Sequence, residues 1–350
     1  MANQSRNGSA FEYAVCRQLM PELDKWLARH SLPKLASQVV RLVEDKRFQQ
    51  IHESFNATPI LLQQQMLLAS KASWKRLFDM EPRIVYATEG DPLIVKANSN
   101  AGKEGDVRDV LFLRRIGPSH RRRILSSSSN WEIGISCKWN HADLKHPRLS
   151  PSIDFGKEWV GIPCSEEYWV ALTSPMAYLK EHAGTLWSRL SKKEELVYGP
   201  ILTALMNELL TLGQSHVFPN RLVWYLVGRY DFYKVIARVV LHQTDVQAFN
   251  LHGTLNQDAE GKRPRTSLST SVGRLPTRLV QVSRKNATTI SVILDRGWQF
   301  DLRVHNADRV IAPTVKLAVS FAGNPFESYT EPWATRTASK VPGRSQRFYS

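Results

Sequence analysis

Asp109 and Lys138 are the residues of this 350-residue sequence best placed to do chemistry. Asp109 stands at the head of the apolar run Val110-Leu111-Phe112-Leu113, and Lys138 lies near the end of the alternating run Trp131 to Trp139. A carboxylate that leads into a buried strand carries a desolvation cost unless a cation lies on it. A lysine on the polar side of a strand backed by Trp and Ile is equally unusual. If the two runs are neighbouring strands, acid and ammonium come together. The pair suits phosphodiester hydrolysis. The carboxylate is a hard oxygen ligand for Mg2+, the metal neutralises a phosphate oxygen and lowers the pKa of its water, and the lysine orients that water or stabilises developing charge. A buried salt bridge between two strands explains the same two residues without any catalysis, and spacing alone does not separate these readings.

A metal site needs more than one acid. In the pattern D-x(n)-[DE]-x-K of the PD-(D/E)xK nuclease superfamily, which this pair resembles, an acid stands two residues before the lysine. Here that residue is Ser136. Glu132 shares the strand face but sits about 20 Å from Lys138 along an extended strand, unless the strand bends at Gly134. The resemblance implies that an S-x-K site takes its acid from a following helix, where Asp154 and Glu158 lie, or from a glutamate on the first helix, where Glu12 lies. Glu12 also completes Ser9-Ala-Phe-Glu12, a capping box that needs no function. Asp106 is a further candidate ligand, although an ordinary turn aspartate fits it better. After Lys138, the stretch Trp139 to Arg148 is dense in donors for phosphate oxygens: Asn140, His141, Lys145, His146 and Arg148. The two histidines also suit acid–base work near pH 7. A solvated basic loop is the plainer account.

The composition agrees with a polyanionic partner. Formal net charge is +15, and the excess is uneven: residues 101–150 carry 10 Lys/Arg against 5 Asp/Glu, and residues 251–350 carry 15 against 7. A basic surface kept for solubility explains the charge equally simply. Three scattered cysteines, Cys16, Cys137 and Cys164, argue against a disulfide framework and a zinc knuckle. No signal peptide and no apolar run of about 20 residues are visible, so a cytoplasmic protein with no membrane partner is expected.

The elements that must position these residues follow from pattern. Residues 1–8 read as frayed, with a helix opening at the Ser9 box and running to Leu23. Leu35, Val39, Leu42 and Val43 sit at helical spacing, as do Leu61 to Leu77, so residues 1–80 read as a mostly helical part. Short β-type runs follow at 84–86 and 93–95, then the two runs that carry Asp109 and Lys138, joined by a connector with Arg121-Arg122-Arg123 and four serines. In Trp131–Trp139 the apolar residues Trp131, Ile133, Ile135, Cys137 and Trp139 share one face, and Glu132, Gly134, Ser136 and Lys138 the other. Residues 175–215 read as helical, 223–227 and 235–241 as strands, 253–275 as a mobile loop or linker, and 278–282, 288–294, 299–305 and 314–319 as strands before a loose tail. The fold class expected is α/β of mixed α+β kind, with a central mixed sheet flanked by helices and a β-rich C-terminal region. The implied parts are 1–80 (helical), 81–250 (catalytic core), 251–275 (loop or linker) and 276–350 (recognition).

Several blocks carry a closer resemblance. Gly105-Asp106-Val107-Arg108-Asp109-Val110-Leu111, Glu132 to His141, Lys145 to Ser150, Asp154-Phe-Gly156, Gly228 to Val235 and Gly297 to Ala307 resemble, in order, the HaeIII-type restriction endonucleases. The blocks run from residue 8 to about 325. The resemblance implies a restriction-endonuclease-like fold and a type II enzyme that uses Mg2+ on double-stranded DNA at GGCC, with a DNA methyltransferase protecting host DNA. A palindrome is read by a two-fold object, so a homodimer is expected. G·C pairs present O6 and N7 to arginine, and Arg278, Arg303, His305 and Asn306 on or beside the C-terminal strands are the candidate base contacts. Gripping phosphates or bracing the sheet is the alternative for them. A repair or junction nuclease of the same fold, and a non-catalytic nucleic-acid-binding protein, remain the other readings.

Overall fold

The computed structural model describes residues 2–32, 39–86, 92–99, 105–115, 130–259 and 268–333. Leu35, the Arg121–Arg123 connector with its serines, part of the 253–275 segment and the final stretch from residue 334 lie outside the described residues.

Two sheets organise the chain. The first is seven-stranded, in the order β1 (Val40–Val43), β2 (Leu93–Ala97), β3 (Val110–Arg115), β4 (Asn130–Trp139), β6 (Phe232–Arg238), β7 (Gln243–Phe249) and β12 (Ser328–Pro332). It is mixed: β1 pairs with β2 and β4 with β6 in parallel, while the remaining neighbours are antiparallel. The second sheet is five-stranded and antiparallel, in the order β5 (Arg148–Leu149), β11 (Val315–Gly323), β10 (Gln299–Asn306), β9 (Thr289–Leu294) and β8 (Leu279–Asn286). The mixed sheet with flanking helices agrees with the expected fold class.

Three helices, α1 (Ala2–Arg29), α2 (Lys46–Asn56) and α3 (Ile60–Met80), share one core with the first sheet. In α1 the buried residues Phe11, Val15, Leu19, Leu23, Trp26 and Leu27 recur at three- and four-residue spacing, which lays one stripe on the sheet. α1 begins well before Ser9, so the expected frayed start and the capping box are both overturned: Ser9 and Glu12 lie inside the helix. The apolar stripe simply continues past the box, and packing outweighs a local cap.

A short helix, α4 (Pro82–Val85), stands where a β-type run was expected. Proline at its first position starts the turn, and four residues are too few for periodicity to show. Residues 40–43, read at helical spacing, form an edge strand instead, because β2 offers a free edge for parallel pairing. The remaining helices, α5 (Phe155–Val160), α6 (Glu166–Glu181), α7 (Gly199–Leu212) and α8 (Phe218–Leu226), form the connection from β4 to the parallel strand β6 and share a second core with the second sheet. Parallel neighbours need such a crossover. Residues 223–227, expected as a strand, belong to α8 and its end. Val223 and Leu226 are buried, and a short apolar run does not distinguish buried helix from buried strand.

β4 holds the alternation read from its sequence. Trp131, Ile133, Ile135, Cys137 and Trp139 are buried in the first core, with Phe11 against Trp139 at 5.4 Å between ring centroids. On the opposite face, Gly134 lies under the side chain of Arg108. That guanidinium donates to Asp106 at 2.8 and 2.9 Å and to Glu132 at 2.7 Å, and stacks 4.2 Å from the Tyr230 ring centroid. A Cβ at Gly134 would lie 2.2 Å from Arg108 Cδ and 2.7 Å from its Cβ. Because Arg108 is held from three sides, it cannot step aside. Gly134→Ala is therefore expected to destabilise the protein by about 1–3 kcal/mol, read from the urea midpoint. A variant as stable as the wild type would mean that this crossing does not hold β3 on β4.

Candidate active site

Antiparallel pairing places Val110 opposite Ile135, so Asp109, one residue ahead of β3, falls beside Ser136 and Cys137. Its backbone is held from both sides. The Asp109 amide donates to the Ile135 carbonyl at 2.8 Å, and its carbonyl accepts the Asn98 amide at 2.9 Å. The carboxylate Oδ2 accepts the Cys137 amide at 2.7 Å and the Ser136 hydroxyl at 3.3 Å. The Lys138 ammonium lies 4.0 Å from the same oxygen, and both side chains keep partial exposure, 21% for Lys138 and 16% for Asp109. A substrate can therefore reach the pair. The Asp109 Oδ1 accepts no hydrogen bond among the described residues.

Ser136, where an acid was sought, is buried and spans β4 to Asp109 through its hydroxyl. The second carboxylate of this corner is Glu12. It follows Phe11 on α1, is buried, and pairs with Arg47 of α2 at 2.5 Å. Burial raises its carboxyl most, and the negative charge of Asp109 raises it further. Arg47 and Lys138 pull the other way without prevailing, and the group is pushed up to about 8. The Asp109 charge opposes the ionisation of Glu12, and the two carboxylates are the oxygen donors that this corner offers a cation. With the open Oδ1 of Asp109 they match an octahedral divalent ion that keeps several waters and takes one or two carboxylates. Among the described residues no group of three or more His, Cys, Asp or Glu side chains could hold a metal, so an all-protein cage of zinc type is not what this corner offers.

The other expected acids have partners elsewhere. Asp106 and Glu132 are bound to Arg108, and burial of Asp106 is outweighed by its hydrogen bonds from Arg108, so its pKa falls. Asp154 is the N-cap of α5, accepting from the amides of Lys157 at 2.9 Å and Cys164 at 3.1 Å. Glu158 accepts the Tyr225 hydroxyl at 2.9 Å. The structure thus brings together Asp109, Lys138 and Glu12, and gives Asp106, Glu132, Asp154 and Glu158 other contacts.

The chain leaves β4 through Asn140, whose φ of 59° lies in the left-handed region that asparagine tolerates better than most residues. Its amide donates to the Ala237 carbonyl of β6 at 2.9 Å. Next to it, burial and then the Lys138 charge push the His141 ring down to about 4, and its Nδ1 is buried with no partner. His141 is therefore neutral at pH 7. Lys145 is turned inward. It donates to the Tyr225 carbonyl at 3.2 Å, lies 3.4 Å from that residue's ring centroid, and bridges to Val319 of β11. His146 lies 3.7 Å from Asp143, and its ring meets that of His305 at 6.1 Å.

The second sheet thereby reaches the loop after Lys138. Register aligns Arg148 of β5 with Lys316 of β11, and Lys316 with His305 of β10, a row of basic residues across three strands. Exposed Arg303 stands two residues before His305, and Asn306 donates to the Asp308 carbonyl at 2.8 Å. Arg148 lies 3.6 Å from Asp308. Arg278 sits at the other end of that sheet, beside Asp295, which accepts its amide at 3.1 Å. Ser136, Arg47, Lys316 and Lys234 were not singled out as site residues from the sequence. Lys234, inside the apolar run Phe232 to Ala237, is the one whose pattern carried a signal.

A family model described as HaeIII restriction endonuclease matches residues 8–325. The chain is 31% identical over 332 residues to the type II restriction enzyme HaeIII of Haemophilus aegyptius, covering 93% of this chain and 96% of that one. No solved structure matches.

The raised Glu12 pKa has a thermodynamic consequence. Between its ordinary value of 4.5 and about 8, the folded protein keeps a proton that the unfolded chain has lost. This contribution to stability is full below pH 4.5 and lost as pH rises through about 8. In metal-free buffer, the thermal midpoint should fall over that range, and Glu12→Gln should flatten the fall. Added Mg2+ at pH 8 should raise the midpoint of the wild type and not of E12Q. Superimposable profiles for the two proteins would show that Glu12 is not the group responsible.

Proposed function

We propose that this chain, which belongs to the HaeIII restriction endonuclease family, cuts double-stranded DNA at GGCC with Mg2+, using Asp109, Glu12 and Lys138. Membership of the family makes it a type II restriction endonuclease, a divalent-metal enzyme whose substrate is DNA. Among the described residues no helix is long and apolar enough to cross a membrane. The observation that carries the assignment of residues is the convergence of Glu12 and Lys138 on Asp109, with one oxygen of Asp109 tied to β4 and the other open.

In this reading Asp109 and Glu12 hold the metal, and Ser136 and the Cys137 amide fix the carboxylate that faces it. A bound Mg2+ would supply charge neutralisation at a phosphate oxygen and a more acidic water. Lys138 orients the nucleophile or stabilises charge that develops on the phosphate. Arg47 restrains Glu12 from behind. Neutral His141 offers a ring nitrogen rather than a charge at the edge of the site. The segment 81–250, with Glu12 from α1, carries cleavage, and the strands from residue 276 onward carry recognition. Arg148, Lys316 and His305 run along phosphates, and Arg303 is the candidate for bidentate contact with guanine. A homodimer presents two such sites to the two strands of a palindrome, and a methyltransferase of matching specificity protects host DNA.

The assay is direct. Unmethylated duplex DNA with Mg2+ should yield discrete fragments ending at GGCC, and Lys138→Ala and Asp109→Ala should each lower single-turnover cleavage by at least about a hundredfold while still retarding the duplex in a gel. Unchanged cleavage by either variant would overturn the assignment. Arg303→Ala should cost about 1–3 kcal/mol of discrimination at a single base-pair position, seen as relaxed cutting at sites one base away from GGCC. A uniform loss at all sites would instead make Arg303 a phosphate contact.

A further inference from the structure

Lys234 is a charge that the fold has no evident reason to bury. It lies on β6, opposite Ser136 in the parallel register with β4, and is 2% exposed. Its Nζ donates to the Ala142 carbonyl at 2.6 Å. Among the described residues no carboxylate lies within ion-pair distance of it. Lys138 and Arg238 oppose its charge, and Asp143 is the acid that favours it. Burial, and then Lys138, pull the ammonium down to about 7. Removing an unpaired cation from water costs several kcal/mol, and an apolar side chain of similar length would avoid that cost. Such costs persist where the arrangement serves function.

The acceptor shows which function. Ala142 is in the turn that leaves β4 immediately after Lys138 and Trp139. Backbone bonds hold this turn at its two ends, from Asn140 to Ala237 and from Leu144 to Val319 at 2.7 Å. Between those ends, Lys234 supplies its hold. The same turn carries His141, whose buried Nδ1 has no partner.

We propose that Lys234 is a positioning residue of the cleavage site: its buried ammonium pins the Ala142 carbonyl, and with it the Asn140–Leu144 turn, so that Lys138, Asn140 and His141 meet the scissile phosphate in a set geometry. The inference rests on the reading of Asp109 and Lys138 as the site of cleavage.

Lys234→Met tests it, because a merely structural lysine and a positioning lysine give opposite stabilities. The expected variant has a thermal midpoint equal to or above the wild type, and single-turnover cleavage of a GGCC duplex lower by on the order of a hundredfold. Duplex affinity changes by less than about threefold, so the loss falls on the rate rather than on binding. Amide hydrogen exchange quickens at residues 140–144 and stays unchanged across β3 and β4. Lys234→Leu, which likewise lacks a donor, is read in the same way if the methionine variant does not fold. Cleavage within about twofold of wild type overturns the proposal. So does a loss of cleavage that comes with a lower midpoint and faster exchange throughout β4 and β6. Failure of the cleavage reading itself is separate: the wild type would not cut, while the exchange measurement would still decide whether Lys234 pins the turn.

Discussion

The contact between one carboxylate oxygen and the backbone of the neighbouring strand underlies the whole site. Asp109 Oδ2 accepts the Cys137 amide, and the Asp109 amide in turn donates to Ile135, so the acid is fastened at the point where β3 meets β4. From there the pleat does the rest. Cys137 faces the core, and its neighbours Ser136 and Lys138 face the acid. The distance between Asp109 and Lys138 is thus a property of strand register, and a slip of one residue would send Lys138 into the core. The Arg108 cluster lies one turn of the pleat away and braces this register, with Asp106 and Glu132 both bound by one guanidinium over a glycine.

Ser136 stands where an acid was sought, and its hydroxyl donates to Asp109 at 3.3 Å. The second acid near this corner comes from a helix instead. α1 reaches this corner because its apolar stripe packs on β4, with Phe11 on Trp139, and Glu12 is the next residue along. The energetic character of the corner follows. Glu12 and Lys234 are buried, Asp109 and Lys138 partly so, and burial favours the neutral forms of Glu12 and Lys234.

The crossover from β4 to β6 links the corner of Asp109 and Lys138 to the second sheet. It carries four helices that share a core with the second sheet, and its first residues, 140–149, run directly from Lys138 into β5. Lys145 is bonded into this seam through Tyr225 and Val319, which explains why a lysine in a basic loop faces inward. His146 against His305, and the row Arg148, Lys316 and His305, then place the basic strands of the second sheet beside the loop of the first. Few residues separate Lys138 from the first strand of the second sheet.

Much of this was legible in the residues themselves. The alternation of Trp131 to Trp139 places Lys138 on the polar face of a strand, and the run after Asp109 marks a second strand, because side-chain period depends only on local geometry. The β-rich end and the uneven positive charge are likewise local or additive properties. Where pattern misled, a long-range contact decided. Residues 40–43 became a strand because β2 had an edge to offer, and 223–227 a helix because a buried surface accepts either form. Glu12 read as a cap until the helix proved to begin before it. The sequence alone determined that Asp109 and Lys138 fall on two β-type runs of a strongly basic chain. Only the tertiary structure decided that those runs are neighbouring strands, that Glu12 rather than Glu132, Asp154 or Glu158 shares their corner, and that Lys234 lies opposite Ser136. Those choices rest on which distant elements share a core, and no spacing along the chain encodes them.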